Sequence, residues 1–222
     1  EGEAGGEGEG EVRRYDSKMT AERELKGEYP TRAMDGVMDG GCPIDPKESD
    51  EESMGVTPQG GGTTAVACIA CMGRLHLASV GDSRAVLAVP SMPAARLTTD
   101  HTPSLPSEHD RIVEAGGFIS RGRVHGILAV SRALGDLELQ PYVSPVPQVS
   151  VVQLPTKAPS SLILASDGVW ACIEDDEAAE IVLAQPNPQA AADALIAEVA
   201  QRGGRDNASV IVAAFGSQPR AE

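Results

Sequence analysis

The hydrophobic and polar positions follow two regimes, and the change falls near residue 60. Residues 1–12 are nearly all Glu and Gly, and residues 39–62 are rich in Asp, Glu, Gly and Pro with no apolar period. Segments of that kind bury too little apolar surface to offset the entropy of ordering, and are expected to stay solvated. Between them, residues 19–27 (Met-Thr-Ala-Glu-Arg-Glu-Leu-Lys-Gly) predict a short helix stopped by Gly27 and Pro30. From Gly61 onward the pattern is dense. Residues 64–70 read as a buried strand. Residues 74–80 alternate, with Leu75, Leu77 and Ser79 on one face and His76, Ala78 and Val80 on the other. Gly81 and Asp82 supply a turn, and residues 84–89 are expected to return as the partner strand of a hairpin. A helix opens at Pro106 or Ser107 and stops at Gly116 and Gly117. Short strands are expected near residues 118–120 and 126–130, and longer ones at 148–153 and 161–166. Asp175 or Asp176 opens a helix to Ala184, Asn187 or Pro188 opens another to Gln201, and residues 207–215 form a last strand.

This order is not a regular β-α-β alternation. It favours antiparallel sheets with helices segregated onto their outer faces, an α+β layered sandwich. The expected organisation is a mostly flexible acidic segment over residues 1–60, a folded domain over 61–216 and a tail over 217–222.

Composition then narrows the function. The chain has 222 residues and a formal charge of −15. That balance argues against binding nucleic acid, which needs clustered Lys and Arg on phosphates, and against adhesion to anionic membranes. No apolar run approaches a membrane span, and no basic-then-apolar signal peptide opens the chain. The first residue is Glu1 rather than Met, so the chain reads as a fragment or a processed product. One Trp, three Tyr and two Phe leave a core that must be mostly aliphatic. Cys68 and Cys71 form a C-x-x-C, but on a strand a separation of three sends the two side chains to opposite faces, so they cannot share a metal. With Cys42 and Cys172 they read as ordinary buried thiols of a reducing, intracellular compartment, cytoplasmic or nuclear.

Three carboxylates stand out by position. Asp167 follows the apolar strand Ser-Leu-Ile-Leu-Ala-Ser and precedes Gly168, Asp206 precedes the last strand, and Asp82 sits in the Gly-Asp-Ser-Arg turn. A carboxylate ending a buried strand is costly to bury unpaired, and a divalent cation is one compensation. Hard oxygen donors without a His or Cys cluster suit Mg²⁺ or Mn²⁺ rather than Zn²⁺. The alternative is that all three are turn or cap residues, for which Asp-Gly and Asp-Asn are common pairs.

Seven stretches carry a resemblance. They are Gly-Gly-Thr-Thr-Ala (61–65), Ser-Val-Gly-Asp-Ser-Arg-Ala (79–85), Leu-Thr-Thr-Asp-His-Thr-Pro (97–103), Arg-Ile-Val-Glu-Ala-Gly-Gly-Phe-Ile (111–119), Leu-Ala-Val-Ser-Arg-Ala-Leu-Gly-Asp (128–136), Ala-Ser-Asp-Gly-Val-Trp (165–170) and Gly-Gly-Arg-Asp-Asn-Ala-Ser-Val (203–210). In this order they resemble the metal-dependent protein Ser/Thr phosphatases, the PPM or type 2C family, C-terminal portion only. The resemblance implies a four-layer α-β-β-α sandwich of two antiparallel sheets. It implies two Mg²⁺ or Mn²⁺ ions that ready a water for in-line attack on phosphoserine or phosphothreonine, and a monomer whose partner is a phosphoprotein substrate. By motif position Asp167 and Asp206 match two metal ligands, and Asp82 matches a residue linked to a weaker third ion in some members.

The chain also departs from the family pattern. The family's N-terminal motifs, an Arg with an acidic pair and a D-G-H-G-G, are absent, and no catalytic or substrate-binding residue is identified in this chain. The nearest string, residues 37–41 around Asp39, lacks the His and reads as coincidence in a loop. Ala171 stands where many members have Asp, which puts the ion near Asp82 in doubt. His101 reads as structural, His76 as a packed or edge residue and His109 as exposed, while His125 has the stronger claim to lie near substrate. Arg84, Arg121, Arg123 and Arg132 can contact phosphate, but read better as structural ion pairs or surface groups. Two functions follow. One is a phosphatase whose fragment is itself inactive, and the other is a PPM-like interaction or regulatory protein that has lost catalysis.

Overall fold

The computed structural model describes residues 60–155 and 158–216, all within the unit Thr57–Glu222. The readings of residues 1–59, including the helix at 19–27 and the Asp39 string, and of the tail at 217–222 lie outside the described residues.

Two antiparallel sheets form the centre. One has the order β2–β3–β9, from Ala65–Cys71 (β2), Arg74–Val80 (β3) and Gln148–Gln153 (β9). The other has the order β11–β10–β4–β5, from Val210–Phe215 (β11), Ser160–Ala165 (β10), Arg84–Ala88 (β4) and Ala95–Arg96 (β5). Gly62–Thr63 (β1) pairs with Leu134–Gly135 (β8), and Ile119–Ser120 (β6) with Arg123–Val124 (β7). The helices are Pro106–Glu114 (α1), the single turn Asp167–Trp170 (α2), Asp175–Leu183 (α3) and Pro188–Gln201 (α4). The α+β class with antiparallel sheets is as expected.

The strand period of two builds the layers. Along β4 and β10, Ala85, Leu87 and Leu162 face Leu75 and Leu77 of β3, which forms the core between the sheets. The alternate residues Val86, Ile163 and Ala165 face Ala178, Val182, Ala191, Leu195 and Val199 of α3 and α4. A third cluster, Ile112, Val124, Val130, Ala133 and Val143, holds α1 against the β6–β7 ribbon. Helices therefore cover one outer face of the sandwich. The outer face of β2–β3–β9 is open among the described residues, with Ile69, Val149 and Val151 exposed.

Four local expectations need correction, the first being that the strand read as buried at residues 64–70 is β2, which has no fully buried residue. Residues 74–80 and 84–88 do not form a hairpin, because β3 pairs with β2 and β9 while β4 pairs with β10 and β5. The residues 81–83 are a corner between sheets. The reason lies in β4: every residue in it is buried, so it needs cover on both faces, which a strand in a two-stranded hairpin cannot have. The strand expected at 126–130 is instead Arg123–Val124, with Val124 bridging to Leu128. Cys68 and Cys71 do point to opposite faces of β2, but they are not buried thiols: Cys68 is half-buried at the sheet interface and Cys71 is exposed.

Candidate metal centre

The sheet register brings the three flagged carboxylates to one end. Ala165 is opposite both Arg84 of β4 and Val210 of β11. Asp82 lies two residues before Arg84, Asp167 two residues after Ala165, and Asp206 four residues before Val210. Antiparallel pairing therefore gathers all three at the same end of the four-stranded sheet.

The backbone confirms the closeness. A Cβ on Gly168 would overlap the Asn207 carbonyl, so the turn after Asp167 is seated on the residue after Asp206. Ser166 N–H donates to Ser209 O at 3.1 Å, and Ser209 N–H donates to Ser166 Oγ at 3.0 Å. Asp206 Oδ1 accepts from the N–H of the next residue, Asn207, at 2.8 Å.

The electrostatics follow from this crowding. Asp82 is half-buried, and its carboxyl is pushed up to about 6, first by burial and then by the negative charge of Asp167, with smaller contributions from Asp100 and Asp206. Asp167 and Asp206 are themselves exposed, so the burial cost anticipated at the strand ends falls on Asp82 alone. No Lys, Arg or His pairs with any of the three among the described residues. An uncompensated group of hard oxygen donors fits a divalent cation in donor type and in charge. Among the described residues no three His, Cys, Asp or Glu side chains stand close enough together to enclose an ion. The described carboxylates thus supply only part of a ligand set. Ala171 follows Asp167 by four residues and its N–H donates to Asp167 O at 2.7 Å. A carboxylate at that position would have stood on the same face as Asp167.

The other motif residues buttress this end. Thr64 Oγ1 and Ser83 Oγ are 2.8 Å apart, tying the first motif to the corner. Gly81 has φ +91°, and a Cβ there would overlap the Thr64 side chain, so only Gly fits. His101 is buried, and both its N–H (2.9 Å) and its Nδ1–H (3.1 Å) donate to Gly81 O. Burial and Arg132 hold its imidazole below the usual range, as suits a structural histidine. Ser131 N–H donates to His101 O at 2.9 Å.

Two of the four arginines are tied into ion pairs. Arg84 pairs with Asp100 and Asp175, each at 2.5 Å, and Arg132 pairs with Glu108 at 2.6 Å. Glu108 is 1% exposed and also takes Arg111 at 2.9 Å. Arg123 donates to Ile127 O at 2.8 Å, and Arg121 is exposed. His125 is stacked on Phe118 at 4.6 Å and lies 4.3 Å from the Tyr142 ring. His76 and His109 are exposed. Sequence reasoning passed over Asp100, Glu108 and Asp175. Their signal was present in the runs of charge, but nothing local says that a carboxylate will be buried against a distant arginine.

Comparisons with known proteins bear on the family and the fold. The sequence matches the family model described as "Protein phosphatase 2C" over residues 39–208, a span that begins inside the 37–41 string. It is 40% identical over 161 residues to the "Probable protein phosphatase 2C 44" of Oryza sativa subsp. japonica, covering 70% of this chain and 50% of that protein. It is equally identical over 157 residues to the "Probable protein phosphatase 2C 59" of Arabidopsis thaliana, covering 69% and 50%. The chain thus spans about half the length of the curated relatives it matches. Among solved structures, it is similar to a serine-threonine phosphatase 2C from Toxoplasma gondii, with a TM-score of 0.58, 26% identity, and coverage of 69% of this chain and 58% of that one. It is also similar to a C. elegans sex determining protein, with a TM-score of 0.62, 30% identity, and coverage of 68% and 40%. The motifs, the layered antiparallel fold and the family match together establish that this chain belongs to the protein phosphatase 2C family.

Proposed function

We propose that the protein is a metal-dependent serine/threonine phosphatase, or the C-terminal part of one, acting on phosphoproteins. The observation that carries this reading is the convergence of Asp82, Asp167 and Asp206, uncompensated by any cation among the described residues, at one end of a type 2C fold. Asp167 and Asp206 are the ligands we assign to Mg²⁺ or Mn²⁺, with Asp82 beside them for a weaker ion. When bound, such ions lower the pKa of a coordinated water and offset charge developing on phosphoryl oxygens. The chain's own residues position the carboxylates: Gly168 and Asn207 fix the Asp167–Asp206 approach, and the Gly81 corner fixes Asp82. Relatives are named as protein phosphatases, which supports phosphoserine and phosphothreonine esters as the substrate class. With three carboxylates and no enclosing set among the described residues, this chain alone is expected to bind Mn²⁺ weakly and to turn over little or no substrate.

Calorimetric titration of the chain with Mn²⁺, together with p-nitrophenyl phosphate turnover, tests the reading. The expected result is weak binding that Asp167→Asn and Asp206→Asn both weaken further, by about tenfold or more for loss of a ligand. Binding unchanged by either substitution would overturn the assignment. Turnover abolished by Asp167→Ala would show that some other group of this chain completes the ligand set.

A further inference from the structure

Arg84 occupies an unusual position between the candidate ligands. It opens β4 two residues after Asp82 and is 8% exposed. Its Nε and Nη2 donate to the two Asp100 oxygens at 3.1 and 2.5 Å, and its Nη1 donates to Asp175 Oδ1 at 2.5 Å. Its Cζ lies 5.0 Å from the centroid of the Trp170 ring. Trp170 ends the helical turn that begins at Asp167, and its indole N–H donates to Ala165 O at 2.9 Å. One planar cation therefore joins the strand that follows Asp82 to the turn that follows Asp167. A guanidinium suits this task because its donors are fixed in a fork and its face stacks on an aromatic ring, neither of which an ammonium can reproduce.

We infer that Arg84 is a positioning residue that sets the spacing between Asp82 and Asp167, rather than a phosphate contact. Each of its three nitrogens already donates to a carboxylate and the residue is 8% exposed, which leaves little of the guanidinium open to a phosphoryl oxygen. The inference rests on reading this end of the sheet as a cation site, but its first test needs no metal. In the complete 222-residue chain, amide hydrogen exchange is followed at Ala85, Val169 and Ala171, whose N–H groups are bonded at the corner and in the Asp167 turn. Arg84→Met is compared with Ile112→Ala, which opens a cavity in the separate cluster around α1. Arg84→Met is expected to speed exchange at these amides by about tenfold beyond the change in global stability, and Ile112→Ala is expected to change them only in step with it. Arg84→Lys is expected to restore protection only in part. If Arg84→Met does not fold, Asp175→Asn removes one anchor and is expected to loosen Val169 and Ala171 selectively. Exchange that tracks global stability in every variant would overturn the inference.

A second readout separates the inference from the reading beneath it. Mn²⁺ affinity is expected to fall about tenfold in Arg84→Met and to hold in Ile112→Ala. If Asp167→Asn and Asp206→Asn leave affinity untouched, the cation reading fails while the exchange data still decide the role of Arg84. If those two weaken binding and Arg84→Met does not, the positioning role fails alone.

Discussion

Glu108 shows how a single buried carboxylate can be made to stabilise. Burial alone would push its carboxyl up, but hydrogen bonds from Arg132 and Arg111 outweigh this and bring it down to about 2, from an ordinary value of 4.5. A carboxylate whose folded pKa is depressed contributes stability above its unfolded pKa and loses it as pH falls through the folded one. The contribution of Glu108 is therefore complete above about pH 4.5 and gone near pH 2. Urea melts across that interval should show wild-type stability falling more steeply than that of Glu108→Gln. At neutral pH, Glu108→Ala leaves two arginines facing a cavity and should cost about 3–5 kcal/mol, the usual loss on removing one partner of a buried pair. Gly168 offers a second test at this scale. An added Cβ meets the Asn207 carbonyl rather than a flexible side-chain end. Gly168→Ala should therefore cost about 1–3 kcal/mol in a thermal melt, and it should weaken Mn²⁺ binding by separating Asp167 from Asp206.

At the scale of elements, β4 decides the architecture. Its five buried residues, flanked by β10 and β5, face helices on one side and the second sheet on the other. The β2–β3–β9 sheet behaves differently, because β3 alternates buried and exposed residues up to Leu77 and β9 alternates half-buried and exposed ones. The open face of that sheet carries Ile69, Val149 and Val151, at 70%, 65% and 49% exposure. Polar substitutions there should change stability by no more than about 0.5 kcal/mol, as expected for side chains without packing partners. Val151→Thr, measured by urea denaturation, checks this; a loss of about 2 kcal/mol would mean the face is packed in solution. Leu77→Ala on the opposite face should cost about 2–5 kcal/mol. β2, β9 and β11 have no strand beyond them among the described residues, and open edges of this kind pair readily with other chains.

For the whole molecule, a −15 charge and a gathered set of carboxylates have the same consequence. Divalent cations should stabilise the folded chain by mass action, since a ligand that binds only the native state adds RT ln(1 + [L]/Kd). Mn²⁺ at ten times its Kd should add about 1.4 kcal/mol, visible as a rise in Tm; a tenfold loss of affinity in Asp167→Asn cuts this to about 0.4 kcal/mol or less. A rise of equal size in Asp167→Asn would assign the effect to diffuse screening of the net charge instead. No described helix is long and apolar enough to cross a membrane.

Most element boundaries were legible in the chain because they depend on local chemistry. Pro106 and Pro188 open helices, Gly116 and Gly203 follow helix ends, and an apolar period of two marks β3. The candidate ligands were legible for the same reason, as acidic residues beside strand ends in recurring motifs. What the chain did not disclose was which strand pairs with which, so the Gly81 corner passed for a hairpin turn when it joins two sheets. Nor did it disclose that Asp167 and Asp206 stay exposed while Asp82 bears the burial, or that Arg84 and Arg132 are held by Asp100, Asp175 and Glu108. Each of these depends on groups far apart in sequence that only tertiary packing brings within reach. Local pattern specifies the pieces; the environment of a charge belongs to the folded whole.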